Sequence, residues 1–337
     1  MNHKKIRIED VAELAGVSIT TVSRVINNVP TVTDSNRKSV QEAIIKLKFR
    51  PDVTAQRLAK GVNNTVGLVI PHYEGIFHSF FGMEVIRGVG FACERLKLDL
   101  LLHISSGHNT FNLGTVGGVI LADIVGNEKD LKAVLDEEIP SIVINNALDS
   151  ESASYIAVDN FNGAKKAVEY LIGIGHRKIA TIAGDPVTQC GMQRLDGYKA
   201  ALKNKNIPIK EEYITKGDYS RRSARIAAEK LLGLKELPTA IFAGSDDMAL
   251  ETIEVILEKG LKVPEDISII GFDDNPTCLY GPVSLTTVKQ SFFHMAEEAV
   301  KELNKLMSGK AKAPIRKILP AELVIRESCA HLSNKSK

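Results

Sequence analysis

The reactive residue types in this 337-residue chain mostly lack the spacing that chemistry requires. Cys93, Cys190, Cys278 and Cys329 lie far apart with no Cys-x-x-Cys pair, so they read as reduced, packed thiols. The eight histidines do not cluster and no His-Glu-x-x-His occurs, so no metal is expected. No Gly-x-Gly-x-x-Gly or P-loop follows an apolar run, Gly-x-Ser-x-Gly is absent, and no nucleophile is paired with a base at a familiar spacing. The expectation is binding without catalysis and without a cofactor. Charge is the first positive signal. Net charge is only +2, yet residues 1–61 hold eleven Lys or Arg against six acids, and the remainder is slightly acidic. A basic head on an acidic body is the footprint of a nucleic-acid binder.

Those charges need a scaffold. Val11, Leu14 and Ala15 repeat at helical spacing, as do Val22, Val25 and Ile26. Between them, Gly16-Val17-Ser18 makes a tight turn: Gly16 takes a left-handed conformation readily and Ser18 is a good N-cap. Two short helices joined so closely must cross steeply, which is helix-turn-helix spacing with residues 19–27 as the recognition helix. Thr33 caps a third amphipathic helix over 34–47, carrying Val40, Ile44, Ile45 and Leu47 on one face. Pro51 ends that unit, and a short segment over 53–59 leads to Lys60-Gly61.

From Val66 onward, short apolar runs alternate with amphipathic segments. The runs 66–70, 98–102, 118–121, 141–144, 179–182, 240–243 and 267–270 read as buried strands. Helical periodicity falls near 83–97, 128–138, 162–174, 193–204, 221–233, 247–259 and 292–307. That alternation means parallel sheet covered by helices, and it runs twice, to about residue 160 and again to 289, giving two lobes. Ligands of such sheets sit beyond the carboxyl ends of the strands, here between the lobes. Neither the N-terminus nor any later stretch has the apolar length of a signal peptide or a membrane span, so the expected location is the cytoplasm, with no membrane partner.

The run Asp10-Val11-Ala12, Ala15-Gly16-Val17-Ser18, Thr21-Val22-Ser23-Arg24-Val25 and Asn27 resembles the LacI/GalR (lactose/galactose repressor) family. The likeness continues through Val158-Asp-Asn160, Gly175–Ala180, Arg194–Tyr198, Asp246–Leu250, Val263–Asp274 and Leu285–Val288. It implies an all-α helix-turn-helix DNA-binding head and an α/β periplasmic-binding-protein-like (type I) body of two doubly wound parallel-sheet lobes. The implied domains are a head over 1–52, a hinge helix over 53–61 and a ligand-binding, dimerising body over 62–337. Lobe 1 takes about 62–159 plus 290–320, and lobe 2 about 160–289 plus 321–337.

By that resemblance Ile19, Thr20 and Arg24 face base edges, Arg24 able to grip guanine bidentately and Ile19 limited to apolar contact. Ser18, Thr21, Ser23 and Asn27 hold phosphates, although Thr21 and Ser23 also suit a solvated helix surface. Leu58 corresponds to the leucine that wedges into the minor groove. The implied effector residues are Phe80 or Phe81, Arg194, Asp246 and Asp273. An aromatic face packs on a sugar's C–H face, arginine donates, and carboxylates accept from hydroxyls. Arg194 could equally pair with an acid, and Asp273 could serve only to fix a loop.

The chain departs from the family pattern in several places. Arg7 stands where a Thr cap is usual, a loss of about 0.5–2 kcal/mol. His72 follows Pro71 in place of Asp, and Ser245 replaces Asn. Between Leu102 and Gly118 the chain is about a helix short, with 105–110 reading as loop, which leaves one face of lobe 1 incompletely covered. The reading is a homodimeric repressor of carbohydrate-utilisation genes that binds near-palindromic double-stranded operator DNA and answers to a sugar-like effector. The alternatives are control by a purine or a protein co-repressor, activation in place of repression, a sugar-binding receptor, or an enzyme on the same scaffold.

Overall fold

The computed structural model describes residues 6–27, 29–49, 63–73, 75–106, 108 and 111–332. The chain divides into two compact units, Met1–Asn63 and Asn64–Lys337.

In the first unit α1 (Ile8–Ala15) ends at Gly16, whose φ of 66° lets the Val17 N–H return to the Ala12 carbonyl. Ser18 then caps α2 (Ile19–Ile26), accepting from the Thr21 N–H at 3.2 Å, and Thr33 caps α3 (Asp34–Leu47). Val11, Ala12, Val22, Val25, Val40 and Ala43 form the core of this unit. Ile44 and Leu47 pack against it, but Ile45 lies 76% exposed, one residue too far round α3 to share their face. The Arg7 side chain offers no cap; instead the Asp10 carboxylate accepts from the Arg7 N–H at 2.6 Å, which offsets part of the missing Thr.

The second unit holds two six-stranded sheets. In chain order its elements begin β1 (Thr65–Pro71), α4 (Phe80–Leu96), β2 (Asp99–Ser105), β3 (Gly118–Ala122), α5 (Glu128–Asp136), β4 (Ser141–Ile144) and β5 (Tyr155–Val158). Then follow α6 (Asn160–Gly173), β6 (Ile179–Ala183), α7 (Gln189–Asn204), β7 (Ile214–Lys216), α8 (Arg221–Leu232), β8 (Ala240–Ala243) and α9 (Asp246–Glu258). Last come β9 (Ser268–Asp273), β10 (Thr286–Lys289), α10 (Phe292–Met307), β11 (Arg316–Leu319) and β12 (Glu322–Val324).

Sheet order in lobe 1 is β11-β5-β4-β3-β1-β2, parallel throughout. In lobe 2 it is β12-β10-β9-β8-β6-β7, with only β12 antiparallel. The chain therefore passes between the sheets after β5, after β10 and again between β11 and β12. Strands β1, β3, β6 and β8 are buried along their whole length, which is why they read as unbroken apolar runs.

The short stretch after β2 covers the sheet without a helix. Phe111 and Leu113 are buried against Val69, Val119 and Leu121. The buried Asp130 carboxylate of α5 holds that stretch by accepting from Ser105 Oγ at 2.9 Å and the Phe111 N–H at 3.0 Å. Cover is incomplete at the edge strand, where Leu101 and Leu102 stay exposed.

Candidate functional sites

Helix α2 presents its outer face to solvent. Ile19 is 47% exposed, Thr20 and Arg24 are exposed, and the opposite face is anchored by buried Val22 and Val25. Thr20 and Arg24, four residues apart, share one side of the helix. Among the residues assigned to phosphates, Ser18 Oγ and Thr21 Oγ1 lie 3.0 Å apart, and the Asn27 amide donates to the Ser23 carbonyl at 2.9 Å. Ser18 and Asn27 therefore also close the two ends of the helix. The segment over 53–61, with Leu58, lies outside the described residues.

In the body, three of the expected residues, Arg194, Asp246 and Asp273, lie where the strands of lobe 2 end, whereas Phe80 and Phe81 open a lobe 1 helix. Arg194 projects from α7 and is 4% exposed. Its Nε donates to Asn160 Oδ1 at 2.9 Å and one terminal nitrogen to the Gly244 carbonyl at 2.6 Å, and its guanidinium lies 3.8 Å from the Phe272 ring centroid. Asp273 stands 3.8 Å away, a charge contact rather than a fork. The backbone there has φ 135°, a conformation that L-residues rarely adopt and one typical of strained functional positions. Gln290 donates its amide N–H to Asp273 Oδ1. Burial pushes the Asp273 carboxyl up to about 8, against the pull of Arg194.

Asp246 differs from the expectation of a hydroxyl-accepting carboxylate. It is 0% exposed, and its oxygens are occupied by Thr287 Oγ1 at 2.5 Å and the Asn275 N–H at 2.8 Å. Burial raises it to about 6. Its geometry suits bracing β10 and the loop after β9. Phe80 and Phe81 open α4, and both rings meet Phe292 edge-on at 5.9 and 5.0 Å, so their half-buried faces are partly committed to packing.

Several site residues escaped the sequence reading. Asn160 and Gln290 engage Arg194 and Asp273; each lies in or just after a family-like stretch, the only signal that pointed to them. Tyr219, at φ 70°, places its hydroxyl 3.0 Å from Thr188 Oγ1 and 3.2 Å from Cys190 Sγ, one helical turn before Arg194. Burial drives its phenol well above the usual range. Gln189 exchanges two hydrogen bonds of 2.8 Å with the Ala147 N–H and carbonyl, joining lobe 2 to lobe 1. Among the described residues no group of His, Cys, Asp and Glu could hold a metal.

Known proteins share both units. Residues 7–52 match the model of bacterial regulatory proteins of the lacI family, and residues 168–329 match the periplasmic binding protein-like domain. The probable HTH-type transcriptional repressor ExuR of Bacillus subtilis (strain 168) is 36% identical, over 97% of this chain and 99% of its own length. The chain belongs to the LacI family. Among solved structures, the lac repressor dimer bound to operator and the anti-inducer ONPF superposes with a TM-score of 0.84 at 27% identity, covering 98% of this chain and 100% of that one. The complex of the transcriptional regulator CelR with cellobiose gives 0.71 at 30% identity, covering 96% and 99%. This LacI-family chain is a DNA-binding transcriptional regulator and not an enzyme, with an effector-binding body of two α/β lobes. No helix among the described residues is long and apolar enough to cross a membrane.

Proposed function

We propose that this regulator is a cytoplasmic homodimeric repressor of carbohydrate-utilisation genes, released from or directed to a near-palindromic operator by a sugar-like effector held between its lobes. The observation that carries the DNA half is the exposed row Ile19, Thr20 and Arg24 on a helix fixed by Ser18 and Gly16. An exposed arginine on such a helix suits bidentate reading of guanine in the major groove. Support for the effector half comes from the Arg194–Asp273–Gln290 cluster at the strand ends and from the cellobiose held by a relative of the same fold. Effector binding shifts the population of lobe settings, and with it the spacing of two heads. Segment 53–61 would then act as the hinge, with Leu58 as its minor-groove wedge.

Selection of the purified protein against a randomised DNA pool, with and without a panel of sugars and nucleobases, tests this reading. Enrichment of a near-palindromic site that one sugar strengthens or abolishes is the expected result. Response to a nucleobase alone would replace the sugar by a purine. No enrichment by a folded dimer would overturn the operator role.

A further inference from the structure

We propose that Gln189 is a latch between the lobes, a positioning residue that biases the body toward the joined setting without itself touching an effector. The proposal rests on the effector reading above and assigns its control to one side chain. Lobe 2 supplies Gln189 at the start of α7, and lobe 1 supplies the main chain of Ala147, three residues beyond β4. Gln189 Nε2 donates to the Ala147 carbonyl, and Gln189 Oε1 accepts from the Ala147 N–H, both at 2.8 Å. A backbone N–H only donates and a carbonyl only accepts, so the partner must do both side by side. A carboxamide can; a carboxylate or a thioether cannot. The clasp spends the Gln189 oxygen and one of its N–H groups on Ala147, so this side chain joins lobes and does not hold a ligand.

Both ends of the clasp are fixed to rigid bodies. In lobe 1, Asn145 Nδ2 donates to the Asp123 carboxylate at 2.9 Å, and Asn146 Oδ1 accepts from the Ile124 N–H at 2.9 Å. These bonds hold the two residues before Ala147 to the loop after β3. In lobe 2, Thr188 Oγ1 accepts from the Gly191 N–H at 3.2 Å and donates to the Asp185 carbonyl at 2.7 Å, which fixes the first turn of α7. Further along, α7 lies so close on α6 that a Cβ at Gly197 would stand 2.3 Å from the Phe161 carbonyl oxygen. With both ends held, the lobes part here only by breaking both bonds. Arg194 rides on the same helix, so the clasp also sets where that guanidinium stands relative to lobe 1.

Magnitude decides what such a clasp can do. Gln189 and Ala147 are both half-buried, and two neutral hydrogen bonds at such a joint bias a two-state ratio by about tenfold. Allosteric ligands change affinity at a second site by about 5–150-fold, so an effector is able to override a bias of that size. The latch therefore sets the resting balance and does not lock it. An effector held between the lobes bridges the same two bodies, so latch and effector favour the same setting. Without the latch, effector binding must supply the closure itself, and its apparent affinity falls by the lost population.

The test compares the full chain with two variants. Gln189→Met keeps the length and removes both bonds; Gln189→Glu sets a carboxylate against the Ala147 carbonyl. Hydrogen exchange reads the clasp with no ligand added. The Ala147 amide should exchange about tenfold faster in both variants at unchanged Tm. The Val143 and Asn145 amides, bonded to the Ser154 and Ile156 carbonyls, should keep the parent rate. Calorimetry with cellobiose and neutral hexoses then reads the balance: a sugar that binds the parent should bind both variants about fivefold to tenfold more weakly. Operator affinity without sugar should shift about threefold or more, against the direction in which the sugar drives it. An Ala147 rate equal to the parent's overturns the latch. Faster exchange with sugar and operator affinities unchanged makes the clasp a structural tie and overturns its part in the balance. Failure of every sugar on the parent overturns the effector reading, while exchange and operator affinity still decide the latch.

Discussion

At the scale of single residues, burial decides what the acids of the body do. Asp273 and Asp246 both have carboxyls raised above the usual range, to about 8 and about 6. Between the unfolded value near 3.9 and those folded values, the native state holds more protons than the unfolded one, so these groups make stability fall as pH rises. Asp273→Asn keeps an oxygen for Gln290 and removes the ionisation. Its Tm should match the parent at pH 4 and exceed it at pH 8; equal curves at both pH values would count against the burial argument. His176 has the opposite sign. Burial lowers its pKa, and its ring nitrogens meet Thr239, Ser268 and the Ala330 carbonyl, so its contribution is lost as pH falls below about 6.5. The sequence showed that Asp246 was an acid in a family-like stretch. It could not show that Thr287, forty-one residues on, would occupy it.

At the scale of elements, legibility followed burial pattern. Strands buried on both faces announced themselves as apolar runs, and Gly16-Val17-Ser18 announced the turn before α2. Strand β10 did not, because Thr286 and Thr287 are buried through hydrogen bonds to the Arg326 N–H and to Asp246 and not through apolarity. The three-residue β7 and β12 are too short to carry a period, and β11 is an edge strand that opens on Arg316-Lys317 with alternating exposure. Gly271 in the middle of β9 is what makes room for the Asp246 brace: a Cβ there would lie 2.2 Å from Asp246 Oδ1. Gly271→Ala should cost at least the roughly 1–3 kcal/mol of overpacking, read as a lower urea midpoint at unchanged m-value. A midpoint equal to the parent would show that Asp246 can yield at no expense. The loop after β2 follows the same logic, since Asp130 does by hydrogen bonding what a covering helix does by packing.

For the whole molecule, affinity for DNA is shared between base reading and phosphate contacts, and the two respond differently to salt. On the proposed reading of Leu58 as the minor-groove wedge, Leu58→Ala removes an apolar contact and no charge. It should therefore reduce operator affinity and bending at every salt concentration while leaving the slope of log K against log salt unchanged, as fluorescence anisotropy and gel bending assays would show. Unchanged affinity and bending would remove Leu58 from the interface.

The three passages of the chain between the lobes also set the order in which the molecule can be built. The head is finished once its first sixty or so residues are made, whereas lobe 1 cannot close until β11 at Arg316–Leu319 is made, and lobe 2 waits for β12. Strand β5 ends at Val158 and spends the interval with its outer edge unpaired. At 5–20 residues per second that interval lasts roughly 8–30 s. During translation, then, a folded DNA-binding head precedes any sensing body, and the growing sheet carries an open edge of the kind that invites mispairing between neighbouring nascent chains.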